Sequence, residues 1–463
     1  MNARVTSLLL ASTLLAAPAA ARADEAAPAS AAPAPRSLDE IIALTLRGPR
    51  AAMAQADTDG AEARTREADA ARLPRAKLTA FATLSPEIRC ENADCTRTDP
   101  DEFALRFSGG FVGASLELVQ PLYTFGKIDS ARRAARAGVT ASRALEDAAA
   151  ADLVMDATRA YWGLKLAREL GYMLDDGIDE IEQAVAGLIE RERDGTGEVT
   201  VQDRLRVETL LAEARVQRAD ARAGEGVALA GLRALTGVAD VDIDLDELVA
   251  TEATLPTLDE LLAQADAGKA DLRAARAGLA AARALADHER AQRWPDLALV
   301  GTAGITRAQG VDEPGGAFFS DPYNSRSAGL ALVLRWNLEP WSTSARVGRA
   351  TAAATRAHHL AELARTGAAF EARSAHAEAS AAQERVAAAR GGETAARAWV
   401  ASVLQADAIG AAEPKDIADS YIAWFQMRAR LMNATYQWNL AVVRLQRARG
   451  ELKATADRLS EAR

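Results

Sequence analysis

From Val112 to Leu118 the chain alternates one for one: Val112, Ala114, Leu116 and Leu118 fall on one side of an extended segment, Gly113, Ser115 and Glu117 on the other. Period-two alternation predicts a two-faced strand, here about 110–122. The same signature places a strand at about 76–88, where Leu78, Ala80, Ala82 and Leu84 oppose Lys77, Thr79 and Thr83, and two more at about 296–307 and 326–338. In the last, Ala328, Leu330, Leu332, Leu334, Trp336 and Leu338 oppose Gly329, Ala331, Val333, Arg335 and Asn337. From about Ile128 the apolar spacing changes to three and four, the helical period, with only Pro121 and Gly126 between the two regimes. The matching change after the fourth strand falls around Trp336 and Pro340.

The helical stretches are long. No proline occurs from Gly126 to Asp194, and Ile178, Ile181, Val185 and Leu188 form a three-and-four stripe suited to a coiled-coil-like seam. At 1.5 Å per residue, about 65 helical residues reach roughly 100 Å, far beyond a domain diameter. "RDGTGEVT" ends this rod at about 194–200, and a second helix is expected to return from Val199 to about Leu235. A second hairpin has its tip in "AIGAAEPKD", at about 409–416. Residues 37–72 are also helical in composition, with Pro74 as the break.

The chain is one unit written twice. Shifted by 213 to 221 residues, "AARLPRAKLTAFATL" faces "AQRWPDLALVGTAGI", "LELVQPLYTFGKIDSARRA" faces "LVLRWNLEPWSTSARVGRA", and "GEVTVQD" faces "GAAEPKD". The halves divide as 24–250 and 251–463, each running helix, strand, loop, strand, very long helix, tight turn, long helix. Four strands are too few to close a barrel in one chain, so either they form a small sheet or several copies pool them. Tyr123, Phe125, Trp336 and Trp341 stand where the strands give way to helices, as interfacial aromatics of a membrane barrel would.

Targeting and charge narrow the classes. Residues 1–23 read as a secretory signal, with Arg4, an apolar stretch from Val5 to Ala17, and an A-x-A ending before Asp24. Beyond it no run of 18 apolar residues suggests a membrane helix, so any insertion is by strands. The net charge of -10, with arginines scattered among acids, argues against a nucleic-acid partner. Cys90 and Cys95 bracket "ENAD" in a polar loop of an exported chain, a candidate local disulfide without a redox role. His288, His358, His359 and His376 lie in Ala/Arg/Glu-rich stretches without a Cys or a spaced carboxylate pair, so neither a metal site, a cofactor nor an enzymatic centre is expected. No phosphate-binding G-x-x-x-x-G-K-[ST] motif occurs either.

Taken in order, the lone prolines Pro74 and Pro295, the exit "QPLYTFGK", "RAYWGLKLARE" from Arg159, the G-x-x-x-x-x-D hairpin tips and the closing "ALTG" and "RARG" resemble the TolC family of outer-membrane efflux and secretion channels. The resemblance covers essentially the whole chain after the signal. It implies a mainly α fold with a transmembrane β contribution: three protomers, each giving four strands to one twelve-stranded barrel, continued by an α-helical tunnel across the periplasm of a Gram-negative bacterium. It also implies a passive exit duct serving a periplasmic adaptor protein and an inner-membrane pump, in tripartite efflux or type I secretion, with outer-membrane lipid around the barrel. The rival reading is an exported coiled-coil scaffold, which has no need of two-faced strands at matching points in both halves.

The resemblance also implies where the pore narrows. In the family, acids six and nine residues after the second tip glycine ring the closed end, and here Asp416 and Asp419 stand at those offsets from Gly410. The first half keeps Asp203, six residues after Gly197, but has Arg206 where the second acid would stand. The plainer alternative is that these acids occupy first helical turns, where the helix dipole favours negative charge. Gly197, Glu198, Val199 and Thr200, with Gly410, Glu413, Pro414 and Lys415, are the implied adaptor contacts.

Overall fold

A computed structural model describes residues 35–87, 107–193, 200–312, 321, 323–409 and 411–461. The signal segment, Cys90, Cys95, Gly197, Glu198, Val199 and Gly410 lie outside them. In chain order the elements are β1 (Pro35–Arg36), α1 (Leu38–Leu46), α2 (Pro49–Ala70), β2 (Arg75–Pro86), β3 (Phe107–Tyr123), α3 (Lys127–Arg193), α4 (Val201–Thr236) and β4 (Asp242–Ile243). Then follow α5 (Leu258–Gly268), α6 (Ala270–Ala291), β5 (Asp296–Ala308), β6 (Arg326–Arg335), α7 (Pro340–Asp407), α8 (Pro414–Arg449) and α9 (Leu452–Glu461).

The helical composition of 37–72 resolves into two helices. Arg47 and Gly48 close α1, and Pro49 opens α2 at its first position, where the missing N–H has no partner to lose. At the far side of the sheet, β6 ends at Arg335 opposite Asp296, the first residue of β5. Beyond that point no strand is left to pair with, so Trp336 to Leu338 lie outside the ladder, correcting the expected strand end at 338. Trp336 instead donates its indole N–H to the Arg293 carbonyl at 3.1 Å.

All four long strands form one antiparallel sheet in the order β2-β3-β5-β6, which leaves β2 and β6 as open edges. The two halves therefore meet edge to edge at β3 and β5, with Leu116 opposite Ala303. The alternation read from the sequence becomes two distinct faces. Leu78, Leu116, Leu118, Leu330, Leu332 and Leu334 share one, all exposed, while Thr79, Ser115, Gly304 and Ser327 line up across the other. Isolated exposed leucines are ordinary, but a contiguous face of them marks contact with lipid or protein.

From the sheet the helices run far. α3 and α7 are 67 and 68 residues long, so at 1.5 Å per residue each reaches about 100 Å. The helices next to the sheet pack in the series α2-α3-α6-α7, following the strand order, and α4 and α8 join α3 and α7 farther out. No described helix is long and apolar enough to cross a membrane. Between sheet and tips a short parallel pair, β1 with β4, and a core of Ile41, Tyr161, Leu164, Leu232, Ile243 and Leu452 tie α1 and α9 to α3 and α4. On the second half, Asn439, 1% exposed, accepts from the Thr251 N–H at 2.8 Å and donates to the Val249 carbonyl at 2.9 Å, strapping an extended segment across α8.

Candidate functional site

The features that could make this molecule a conduit lie at three levels: the faces of the sheet, the strand-to-helix junctions and the hairpin tips.

At the junctions the two halves use different devices. Pro121 lies inside β3 opposite Ala298, and the register slips by one residue between it and Tyr123, so the proline belongs to a bulge rather than to the strand exit. The exit itself is Phe125 and Gly126, both left-handed with φ of 50° and 88°. A glycine takes that conformation freely, and Phe125 takes it with its ring 4.6 Å from Tyr123 and 6.1 Å from Trp294. The first turn of α3 is then held by Ser130, whose hydroxyl donates to the Gly126 carbonyl at 2.6 Å, and by Lys127 paired with Asp296 at 2.8 Å. In the second half Pro340 opens α7 directly, with Glu339 ahead of it making no side-chain cap. Trp341 there is 86% exposed.

At the tips the structure separates residues that the spacing groups together. Thr200 is the N-cap of α4 and Asp203 its third residue, and they form a reciprocal capping box. The Asp203 N–H donates to Thr200 Oγ1 at 3.3 Å, and the Thr200 N–H and hydroxyl donate to Asp203 Oδ2 at 3.0 and 2.6 Å. These bonds to the ionised form hold the Asp203 carboxyl below the usual aspartate range, with Arg206 a lesser cause. The first-turn reading therefore accounts for Asp203. Its signal was already in the chain as a Thr-x-x-Asp run ahead of a helix.

Asp416 holds the same third position in α8, but Glu413 is its N-cap, Pro414 stands at the first position and no side-chain cap bond forms. Its carboxylate is left exposed, as are Glu413 and Lys415. Asp419, one turn on, faces Arg206 of α4 at 3.9 Å. This contact, which sequence spacing did not reveal, brings the starts of α4 and α8 together: the base that replaces an acid in the first half lies against the acid kept in the second. Around them Ile178, Ile181, Leu188, Val207 and Leu211 close the seam of α3 and α4 against Ala418 of α8. Arg204 adds ion pairs to Glu192 at 2.9 Å and Glu208 at 2.6 Å.

The histidines are engaged elsewhere. His288 contacts the Lys127 carbonyl at 2.9 Å, His376 the Pro256 carbonyl at 3.2 Å, and His358 and His359 share the Glu362 carboxylate. Among the described residues no cluster of three or more His, Cys, Asp or Glu could hold a metal ion.

Residues 44–238 and 261–451 match the family model described as outer membrane efflux protein, one copy for each half of the duplication. Among solved structures the chain is similar to CusC, studied in the context of transmembrane channel formation, with a TM-score of 0.74, 16% identity, and coverage of 89% of this chain and 92% of that one. It is likewise similar to the outer membrane protein VceC of Vibrio cholerae, with a TM-score of 0.72, 20% identity and coverage of 89% and 96%. The open state of the MtrE outer membrane channel of Neisseria gonorrhoeae gives a TM-score of 0.73 at 19% identity, covering 90% of this chain and 89% of that one. No curated protein sequence matches.

Proposed function

The chain belongs to the outer membrane efflux protein family, whose members are passive channels and not enzymes, and from that premise we propose that it is the exit duct of a tripartite efflux or type I secretion assembly. Three copies would give four strands each to a twelve-stranded barrel in the outer membrane of a Gram-negative bacterium, and their helices would wall a tunnel through the periplasm. The observation that carries this reading is the sheet: a leucine-rich face whose two arginines, Arg307 and Arg326, sit at the end away from the helices, a more polar opposite face, and open edges at both β2 and β6. An open sheet with one leucine-rich face satisfies neither its edge N–H and C=O groups nor its apolar surface alone. Joining the β6 edge of one copy to the β2 edge of the next removes both costs at once, with the apolar face toward lipid and the polar face toward the lumen. The helices support the same closure, because α2 and α7 end their series and have open flanks on the sides where neighbouring copies would pack.

At the far end the reading assigns the narrowing to Asp416 and Asp419. Threefold symmetry turns each into a ring of three carboxylates, a local negative potential that admits cations and binds divalent ones as blockers. Arg206 offsets part of that charge on Asp419. Asp203, engaged by its own cap, contributes to the hairpin's shape and not to the ring. Thr200, Glu413, Pro414 and Lys415, with the neighbouring Gly197, Glu198, Val199 and Gly410, form the surface offered to a periplasmic adaptor, and energy comes from the inner-membrane pump.

Planar-bilayer conductance of the detergent-extracted protein tests this. The expected result is cation-selective steps that divalent ions block in the parent and no longer block in Asp416→Ala plus Asp419→Ala. An unchanged mutant would overturn the gate assignment and leave the channel standing. Extraction as a soluble monomer without conductance would overturn the channel and favour a coiled-coil scaffold.

A further inference from the structure

The polar face of the sheet carries an exception. By register Phe81 stands opposite Gly113 and Phe111 opposite Thr83, so both rings project from the face that bears Lys77, Thr79, Ser115, Glu117 and Thr302, with Val119, Val300 and Val333 on it only toward the helices. Phe81 lies edge to face on Phe111 with centroids 5.0 Å apart, and Phe111 likewise on Tyr323 at 5.4 Å. Gly113 provides the seat: a Cβ there would come within 2.5 Å of Phe81 Cε1. Tyr323 arrives from the segment joining β5 and β6, at the end of the sheet away from the helices. Around Tyr323 the described residues are held by the Tyr323 N–H donating to Asp321 Oδ1 at 2.8 Å, the Ala308 N–H donating to Asn324 Oδ1 at 3.0 Å, and the Thr306 and Ser325 hydroxyls 2.8 Å apart. Folding alone gives no reason to leave Phe81 43% exposed on the polar face when an apolar face lies on the other side of the same strand.

We propose that Phe81, Phe111 and Tyr323 form an aromatic collar on the lumenal wall near the outer mouth of the barrel, a binding site for organic cations bearing aromatic or alkyl groups on their way out. The inference rests on the pore reading above. Its chemistry comes from the rings: their faces attract cations and their area takes up apolar groups, an affinity that Lys77 and Thr79 farther down the wall do not offer. The Asp321 carboxylate, two residues from Tyr323, adds a fixed negative charge at the rim. Three copies would place nine rings around the bore.

The test is block of single-channel current by tetraphenylphosphonium, in the Asp416→Ala plus Asp419→Ala background so that the acidic end does not contribute. With the collar intact, block is expected at lower concentration from the outer side than from the helical side. In Phe81→Ala plus Phe111→Ala the blocking concentration should rise about tenfold. Should that variant fail to assemble, Phe81→Leu, which keeps the apolar bulk, and Gly113→Ala, which drives the ring from its seat, should each weaken block about threefold or more. Equal block in the background and in Phe81→Leu, or conductance without any block, overturns the collar and leaves the pore intact. A background protein without conductance overturns the pore reading and the collar with it.

Discussion

The two long hairpins follow the same path with opposite packing. In α3 and α4 the outer seam joins large aliphatic side chains, Ile178, Ile181 and Leu188 against Val207 and Leu211. In α7 the buried stripe is Ala372, Ala375, Ala379, Ala382 and Ala389 with Val386, and the bulk comes from α8 and α5 as Trp438, Leu445 and Leu261. Large side chains meeting on both sides hold helices apart, whereas alanine lets a partner helix approach until its own large residues fill the groove. A duplicated unit thus kept its topology while its halves moved to two different volume patterns. Even the exceptions obey this: Gly177 of α3 makes room for the Phe425 ring and Gly392 of α7 for the Met427 methyl, so α8 supplies the knob in both places.

Substitutions should act with opposite size dependence in the two hairpins. The largest effect is expected for Ile181→Ala, which empties a buried aliphatic site and should cost about 2–5 kcal/mol, read from thermal or denaturant unfolding followed by circular dichroism. Ala379→Leu should cost about 1–3 kcal/mol by overpacking, since Ala379 is wholly buried. A neutral Ala379→Leu would mean that the alanine stripe is loosely packed, and the contrast between the hairpins would fall. Thr200→Ala should cost about 1 kcal/mol by loss of the α4 cap, while Glu413→Ala, at a cap without a side-chain bond, should change little.

The Thr200 effect has a pH signature. Bonds from Thr200 lower the folded-state pKa of Asp203, so the stabilisation is fully present above the ordinary aspartate value, about 3.9, and is lost as pH falls through the lower folded value. The gap between parent and Thr200→Ala should therefore narrow in acid, and a gap that widens there would exclude the ionised capping box. A small effect on stability is also expected for Arg206→Ala. Both partners of the 3.9 Å contact are substantially solvated, so the cost should lie between about 0 and 1 kcal/mol and vanish in high salt. Its sharper readout is the pore, where freeing Asp419 should raise cation selectivity and divalent block.

What sequence alone determined is local or periodic. Alternation along β3 and β6 set the strands and their faces, the three-and-four spacing of Ile178, Ile181 and Leu188 set the seam, and Pro340 and Gly126 set the turns into the long helices. Each is decided by a residue's own backbone preference or by neighbours a few positions away, which a linear pattern records. The glycine offset by itself does not distinguish two acids whose caps differ. Asp203 and Asp416 share that offset, yet the N-cap Thr200 engages one, while Glu413, the N-cap of the other helix, makes no side-chain bond. Tertiary structure decided which halves touch: the meeting of β3 with β5, the approach of Arg206 to Asp419, the strap from Thr251 to Asn439, and the rings of Phe81, Phe111 and Tyr323 gathered from distant segments. Those contacts join residues remote along the chain, and their energy exists only once the packed helices and the paired strands hold both partners at contact distance.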